Sequence, residues 1–207
     1  MQELAMEEIH EVTLGILRKI DEIATRENMT YYMAYGTLIG VIRHQGFIPW
    51  DDDLDLMMLR EDYDRLIDYF ETHEKELYPY KIFTPQNNKK YPHMIARVCN
   101  VEYPVVVDND QECGMGVFID FYPMDGVGSD LSAWRRMLKW RQQLIAGSFY
   151  ATRLRFERPK KWYRIPDRFV LFLFAKCVGR DFFFRRLEAY KDRFAWEESR
   201  YIGCAVW

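Results

Sequence analysis

Four aspartates crowd behind a tryptophan in Trp50-Asp51-Asp52-Asp53-Leu54-Asp55. On a strand, a side-chain period of two sends Asp53 and Asp55 to one face and Leu54 and Leu56 to the other. Two carboxylates on one face repel, and a divalent cation removes the conflict. Hard oxygen ligands suit Mg2+ or Mn2+, which are commonly held by one or two carboxylates plus substrate phosphates. A solvated acidic turn is the alternative. An EF-hand is excluded by spacing: counted from Asp51, position 6 is Leu56 instead of glycine and position 12 is Asp62 instead of glutamate.

Two further segments carry chemistry. Asp120 stands in Gly116-Val117-Phe118-Ile119-Asp120-Phe121-Tyr122. An aspartate inside an apolar strand must be paired or serve a metal, because an isolated buried charge is costly. Beside Asp53 and Asp55 it would complete a three-carboxylate site; a salt-bridged structural role is the alternative. Gly36-Thr37 follows a short strand and opens a helix. Glycine there lets backbone N–H groups approach a phosphate, and the helix start favours an anion. Thr37 would add a hydroxyl donor, although a Gly-Thr pair alone is only a turn.

The elements that must position these residues follow from periodicity. Met6, Ile9, Val12, Ile16, Ile20 and Ile23 predict an amphipathic helix over residues 3–27, stopped at Asn28. Residues 31–35 read as a strand, 38–44 as one or two helical turns, 45–49 as a loop and 53–58 as a second strand. A helix follows from Glu61 through Phe70, with acids in its first turn. Four short strands are predicted at 80–83, 94–98, 105–107 and 116–122. After Gly126-Val127-Gly128 the chain turns to long, basic, aromatic helices, broken near Arg158-Pro159-Lys160-Lys161 and Ile165-Pro166. The fold class is therefore α+β: a mixed sheet core over residues 1–131, flanked by helices, and a mostly helical region over 132–207 packed on it.

Composition sets the bounds. The chain has 207 residues, 49% hydrophobic and 29% charged, with a formal net charge of -3. Residues 1–131 hold 11 Lys+Arg against 25 Asp+Glu, a balance of -14, and residues 132–207 hold 18 against 7, a balance of +11. Such asymmetry points to an anionic partner. Four widely spaced cysteines without a C-x-x-C pair argue for thiols and against a disulfide framework or zinc site. The acidic start lacks a signal-peptide pattern. The longest apolar run, Phe169 to Ala175, is far short of the roughly 20 residues a membrane span needs.

Gly-Thr after a first strand, Asp-x-Asp on a second and a lone Asp on a later strand resemble the nucleotidyltransferase superfamily. The run Tyr35-Gly36-Thr37-Leu38-Ile39-Gly40-Val41-Ile42-Arg43-His44-Gln45-Gly46-Phe47-Ile48-Pro49-Trp50-Asp51-Asp52-Asp53-Leu54-Asp55 is similar to the signature of the LicD family, phosphocholine transferases related to fukutin and fukutin-related protein. Glu61-Asp62-Tyr63, Arg97 to Asn100 and Gly116 to Gly126 match in order, and the likeness covers about residues 3–131. Cys113-Gly114-Met115 departs from it, standing where relatives carry a more polar stretch. Relatives also continue past the equivalent of Trp207 into a basic segment, so the chain reads as a catalytic core without that segment.

The resemblance implies transfer of phosphocholine, or a similar phospho-alcohol, from CDP-choline or another CDP-alcohol to a hydroxyl of a cell-surface glycan, teichoic acid or lipopolysaccharide, with release of CMP. Asp53 and Asp55 would hold Mg2+ (or Mn2+) against the donor diphosphate, and Asp120 would be the third ligand or the base for the acceptor hydroxyl. Gly36, Thr37 and Arg43 would bind phosphate, the arginine through its planar fork. Among secondary candidates, His44 is expected in a structural hydrogen bond and Trp50 in the core, with cation–π contact to choline as its other role. Asp51 would shape the loop, and Arg97 lies in a matching segment.

Arg135, Arg136, Arg153, Arg155, Lys160 and Lys161 would attract anionic lipid or a lipid-linked acidic glycan, making the protein cytoplasmic and peripheral at the inner membrane face. No aromatic–basic motif points to nucleic acid. The alternatives are transfer of a nucleoside monophosphate, a metal-dependent glycosyltransferase (whose nucleotide-binding βα units should precede the Asp-x-Asp), and a non-catalytic remnant that binds ligand or membrane.

Overall fold

A computed structural model describes residues 4–191 and 193–206. Glu3 at the start of the expected first helix and Trp207 at the apolar end lie outside the described residues. The chain divides into two compact units. The first comprises residues up to Phe83, Ile95–Val106 and Gly114–Met124; the second comprises Thr84–Met94, Val107–Cys113 and the chain from Asp125 onward. The main division thus falls at Met124/Asp125, where the sequence reading sets it at residue 131.

The first unit is built on helices α1 (Met6–Glu27), α2 (Tyr35–His44) and α3 (Arg60–Thr72) and strands β1 (Tyr31–Met33), β2 (Asp55–Leu59), β3 (Tyr80–Phe83), β4 (Ala96–Pro104) and β5 (Gly116–Gly126). The mixed sheet runs β1-β2-β5-β4-β3, with β2 parallel to β5 and the other neighbours antiparallel. Asn28 ends α1 as expected: its φ of 53° is left-handed, and its N–H reaches the carbonyls of Ala24 and Thr25.

One face of the sheet makes the core. Leu54, Leu56 and Met58 meet Ile119 and Phe121, and α1 covers them with Ile16, Ile20 and Ile23 while α3 adds Tyr63, Leu66 and Phe70. Each such side chain, fully buried, contributes about 1.5–3 kcal/mol. Alternation then commits the intervening residues to the opposite face, including Asp55, Asp120 and Tyr122.

Several predicted strands shift: β1 ends at Met33, with Tyr35 already opening α2, and β5 runs on to Gly126. β2 begins at Asp55, leaving Asp53 before it, although the Leu54 carbonyl already accepts the Asp120 N–H at 2.9 Å. β4 starts at Ala96 and runs to Pro104, and residues 105–107 are not a strand. Proline cannot donate to the ladder, so Pro104 closes the strand, and the Val105 N–H turns to the Met115 carbonyl.

The second unit holds α4 (Leu131–Thr152), α5 (Ile165–Val178), α6 (Arg180–Glu188) and the short β6 (Ile202–Gly203), which pairs with the last residues of β5, Asp125 and Gly126. Pro166 occupies the first turn of α5, where a missing N–H costs nothing, so it starts a helix. Buried Arg180 explains why residues 84–94 group here: its guanidinium donates to the carbonyls of Pro85, Asn88 and Tyr91. Asn109 does the same for residues 107–113 through Arg155 and Leu154. No described helix is long and apolar enough to cross a membrane, and the four cysteines form no disulfide.

Candidate active site

Register brings three charged residues into one row on the non-core face. Asp55 of β2 is the strand partner of Asp120 of β5, which is the partner of Arg97 of β4. All three are buried. Arg97 grips Asp120 with both arms of its fork, Nε to Oδ1 at 2.5 Å and a terminal nitrogen to Oδ2 at 3.1 Å. Its guanidinium also lies 3.8 Å from the centre of the Phe118 ring. Burial pushes the Asp120 carboxyl above the usual range, and Arg97 opposes that shift.

Asp55 has no such partner. Its pKa is raised from 3.8 to about 7, first by desolvation and then by the charges of Asp53 and Asp120, while a hydrogen bond donated by the Tyr122 hydroxyl opposes the rise. Asp53 is raised too, by partial burial and by Asp51, Asp120 and Asp52. Among the described residues, neither Asp53 nor Asp55 forms an ion pair with a cation.

The donor set therefore fits a hard divalent ion at Asp53 and Asp55, two neighbouring carboxyls with no cation paired to them among the described residues. Asp120 fits less well as a third ligand, since Arg97 occupies both of its oxygens. Among the described residues no three His, Cys, Asp or Glu side chains converge closely enough to hold an ion together.

Helix α2 approaches from the same side. The Thr37 hydroxyl accepts the Asp55 N–H at 2.8 Å, so it ties α2 to β2 and sets where Asp55 begins. Gly36 is needed for close approach, but to Asp51: a Cβ there would lie 2.7 Å from Asp51 Oδ2. The Asp51 carboxylate thus stands over Gly36, although no side chain caps the start of α2. At the other end, Gly40 lets the following loop fold back, since a Cβ would meet the Gly46 carbonyl at 2.6 Å.

Arg43 is exposed on the last turn of α2. His44, expected in a structural hydrogen bond, is exposed, with its ring edge-on to Trp50 at 6.1 Å. Trp50, expected in the core, is 76% exposed. The reason is local: Pro49 and the acidic run place it on a surface loop, where no apolar neighbours can enclose it.

Three residues enter that sequence reasoning missed. Tyr122 was legible, two positions past Asp120 and so on its face. Tyr35 packs edge-on against Tyr122 at 5.1 Å and holds a left-handed φ of 44°, uncommon for an aromatic residue. His10 was not legible: from α1 its Nε2 donates to the Asp51 carbonyl at 2.7 Å, and its ring stacks on Phe47.

Residues 28–164 match the family described as LicD/FKTN/FKRP, nucleotidyltransferase domain. The lipopolysaccharide cholinephosphotransferase LicD of Haemophilus influenzae is 29% identical over 219 residues, covering all of this chain and 75% of that protein. Uncharacterized proteins of Rickettsia prowazekii and Rickettsia typhi are each 45% identical over 47 residues, which is 23% of this chain and 18% and 15% of theirs. No solved structure matches.

Proposed function

The chain belongs to the LicD/FKTN/FKRP nucleotidyltransferase-domain family, and from that premise we propose that it transfers phosphocholine from CDP-choline to a hydroxyl of a cell-surface glycan, releasing CMP. The H. influenzae relative, aligned across the whole chain, is named for phosphocholine transfer to lipopolysaccharide. The observation that carries the reading is the unneutralised pair Asp53 and Asp55 next to the Asp120–Arg97 ion pair.

Phosphoryl transfer needs charge neutralisation and in-line positioning more than covalent help. Asp53 and Asp55 would hold Mg2+, which would neutralise the donor diphosphate and the charge growing on the departing CMP. Tyr122 orients the Asp55 carboxylate by donating to it. Asp120 keeps lone pairs beyond those engaged by Arg97 and would accept the proton of the attacking hydroxyl. The acceptor oxygen bonds to the phosphorus of phosphocholine as the bond to the CMP oxygen breaks.

A membrane-linked acceptor fits the second unit. Arg153 pairs with Asp110 and Glu157, and Arg155 with Asp108, so these two of the expected six cations are engaged. Lys160 and Lys161 are exposed and make no ion pair among the described residues, beside exposed Trp162 and Tyr163. Cations flanked by aromatic residues suit the headgroup region of an anionic bilayer.

The test is incubation of purified protein with Mg2+ and CDP-choline, with CMP measured with and without a glycan acceptor. Asp53→Asn and Asp55→Asn should each lower turnover by about 10³-fold, the order expected when several kcal/mol of charge stabilisation is lost. Near-normal turnover in either variant would remove the metal assignment. Attachment of the nucleotide itself to the acceptor would favour nucleotidyl transfer.

A further inference from the structure

Within the first unit, α1, α2 and the loop after α2 enclose an open cleft of about 230 Å³. Leu17, Val41, Phe47 and Ile48 make apolar walls, and Asp51 and Asp53 make an anionic side. His10 organises both: its ring stacks on Phe47 with centroids 4.2 Å apart, and its Nε2 donates to the Asp51 carbonyl.

This combination selects among cations. A primary ammonium has three N–H donors, and acceptors lie only on the anionic side, so any donor turned to the apolar walls would lack a partner, which is costly. A quaternary ammonium has no donor to satisfy. Its methyl groups are apolar surface that gains by burial, an aromatic wall attracts its charge, and the carboxylates neutralise it.

We propose that this cleft receives the trimethylammonium end of the donor's choline. The assignment rests on the phosphocholine-transfer reading and deepens it. Asp53 serves both regions, lining the cleft and belonging to the carboxylate group proposed to face the diphosphate. Only a two-carbon bridge separates phosphate from quaternary nitrogen in phosphocholine, so one group can span both.

Val41→Phe fills the cleft from a position that is 41% exposed, where a larger ring does not disturb the core. It should raise the KM for CDP-choline by about tenfold or more, the scale on which apolar pockets respond to size, with a much smaller change for CDP-ethanolamine. Inhibition by CMP should be unchanged. An unchanged KM for CDP-choline overturns the proposal, and so does CMP affinity falling in step, which would make the cleft the base site.

A second measurement does not depend on turnover: ligand-observed NMR of tetramethylammonium with Mg2+ present. Binding to the wild type that is lost in Val41→Phe and weakened in Asp51→Asn supports the cleft. Absence of binding to the wild type overturns it. If wild-type protein releases no CMP from CDP-choline, the functional reading fails, and the NMR measurement alone decides what the cleft binds.

Discussion

At the residue scale the site is a problem of charge. Asp53, Asp55 and Asp120 all have raised pKa values because burial penalises their ions; neighbouring carboxylates add to the rise at Asp53 and Asp55, while Arg97 opposes it at Asp120. A carboxyl whose folded-state pKa exceeds its ordinary value makes the folded protein the tighter proton binder. For Asp55 the stabilisation is complete below about 4 and is lost as pH rises through about 7. Metal-free protein should therefore melt at progressively lower temperature between pH 4 and pH 8, and Asp55→Asn should flatten that slope. Mg2+ should raise the melting temperature more at pH 8 than at pH 5, because it competes with protons. A metal-free melting temperature that climbs with pH would contradict this assignment. Arg97 poses the converse case. Removing it in Arg97→Ala leaves buried Asp120 unpaired and should cost about 3–5 kcal/mol in urea unfolding. The double variant Arg97→Met with Asp120→Asn should recover most of that loss, and failure to recover would place the cost elsewhere.

At the element scale, α2 and β2 position the chemistry. The Thr37 hydroxyl ties α2 to the first residue of β2 by accepting the Asp55 N–H, beside the Ala34 N–H that donates to the Asp55 carbonyl. Thr37→Val orphans that buried N–H and should cost about 1–3 kcal/mol, with reduced turnover, whereas Thr37→Ser should keep both. Equal stability of the Val and wild-type proteins would show that another group satisfies the N–H. The parallel pairing of β2 with β5 is the other device. It sets Asp55 against Asp120, and the antiparallel β4 then sets Arg97 against Asp120. A one-residue slip of β2 would send Asp55 into the core and Leu56 out of it, so the apolar face enforces the register of the charged face.

At the scale of the whole molecule, the near-neutral total of -3 conceals an acidic catalytic portion and a basic helical one. Exposed Lys160 and Lys161 should each contribute about 1 kcal/mol at an anionic surface. Lys160→Ala with Lys161→Ala should then lower affinity for anionic liposomes in co-sedimentation by about thirtyfold, with binding that weakens as salt rises. Partitioning independent of anionic lipid content would refute membrane docking by this segment.

Much was written in the chain itself. Period-two alternation marked Leu54 and Leu56 for the core and Asp55 for the opposite face, the cost of a buried charge singled out Asp120, and the spacing of isoleucines marked α1. The run from Tyr35 to Asp55 carries the family resemblance by itself. These are local signals, carried by neighbours in sequence. Tertiary structure alone decided which residues meet across long separations. It gave Asp120 to Arg97 through strand register and turned the Thr37 hydroxyl toward Asp55. It put Asp51 over Gly36, where a phosphate was expected, and left Trp50 in solvent. It brought His10 from the first helix to the acidic loop. The reason is that side-chain type limits what a residue can bond, while partner choice depends on register and packing, which exist only once distant strands and helices have come together.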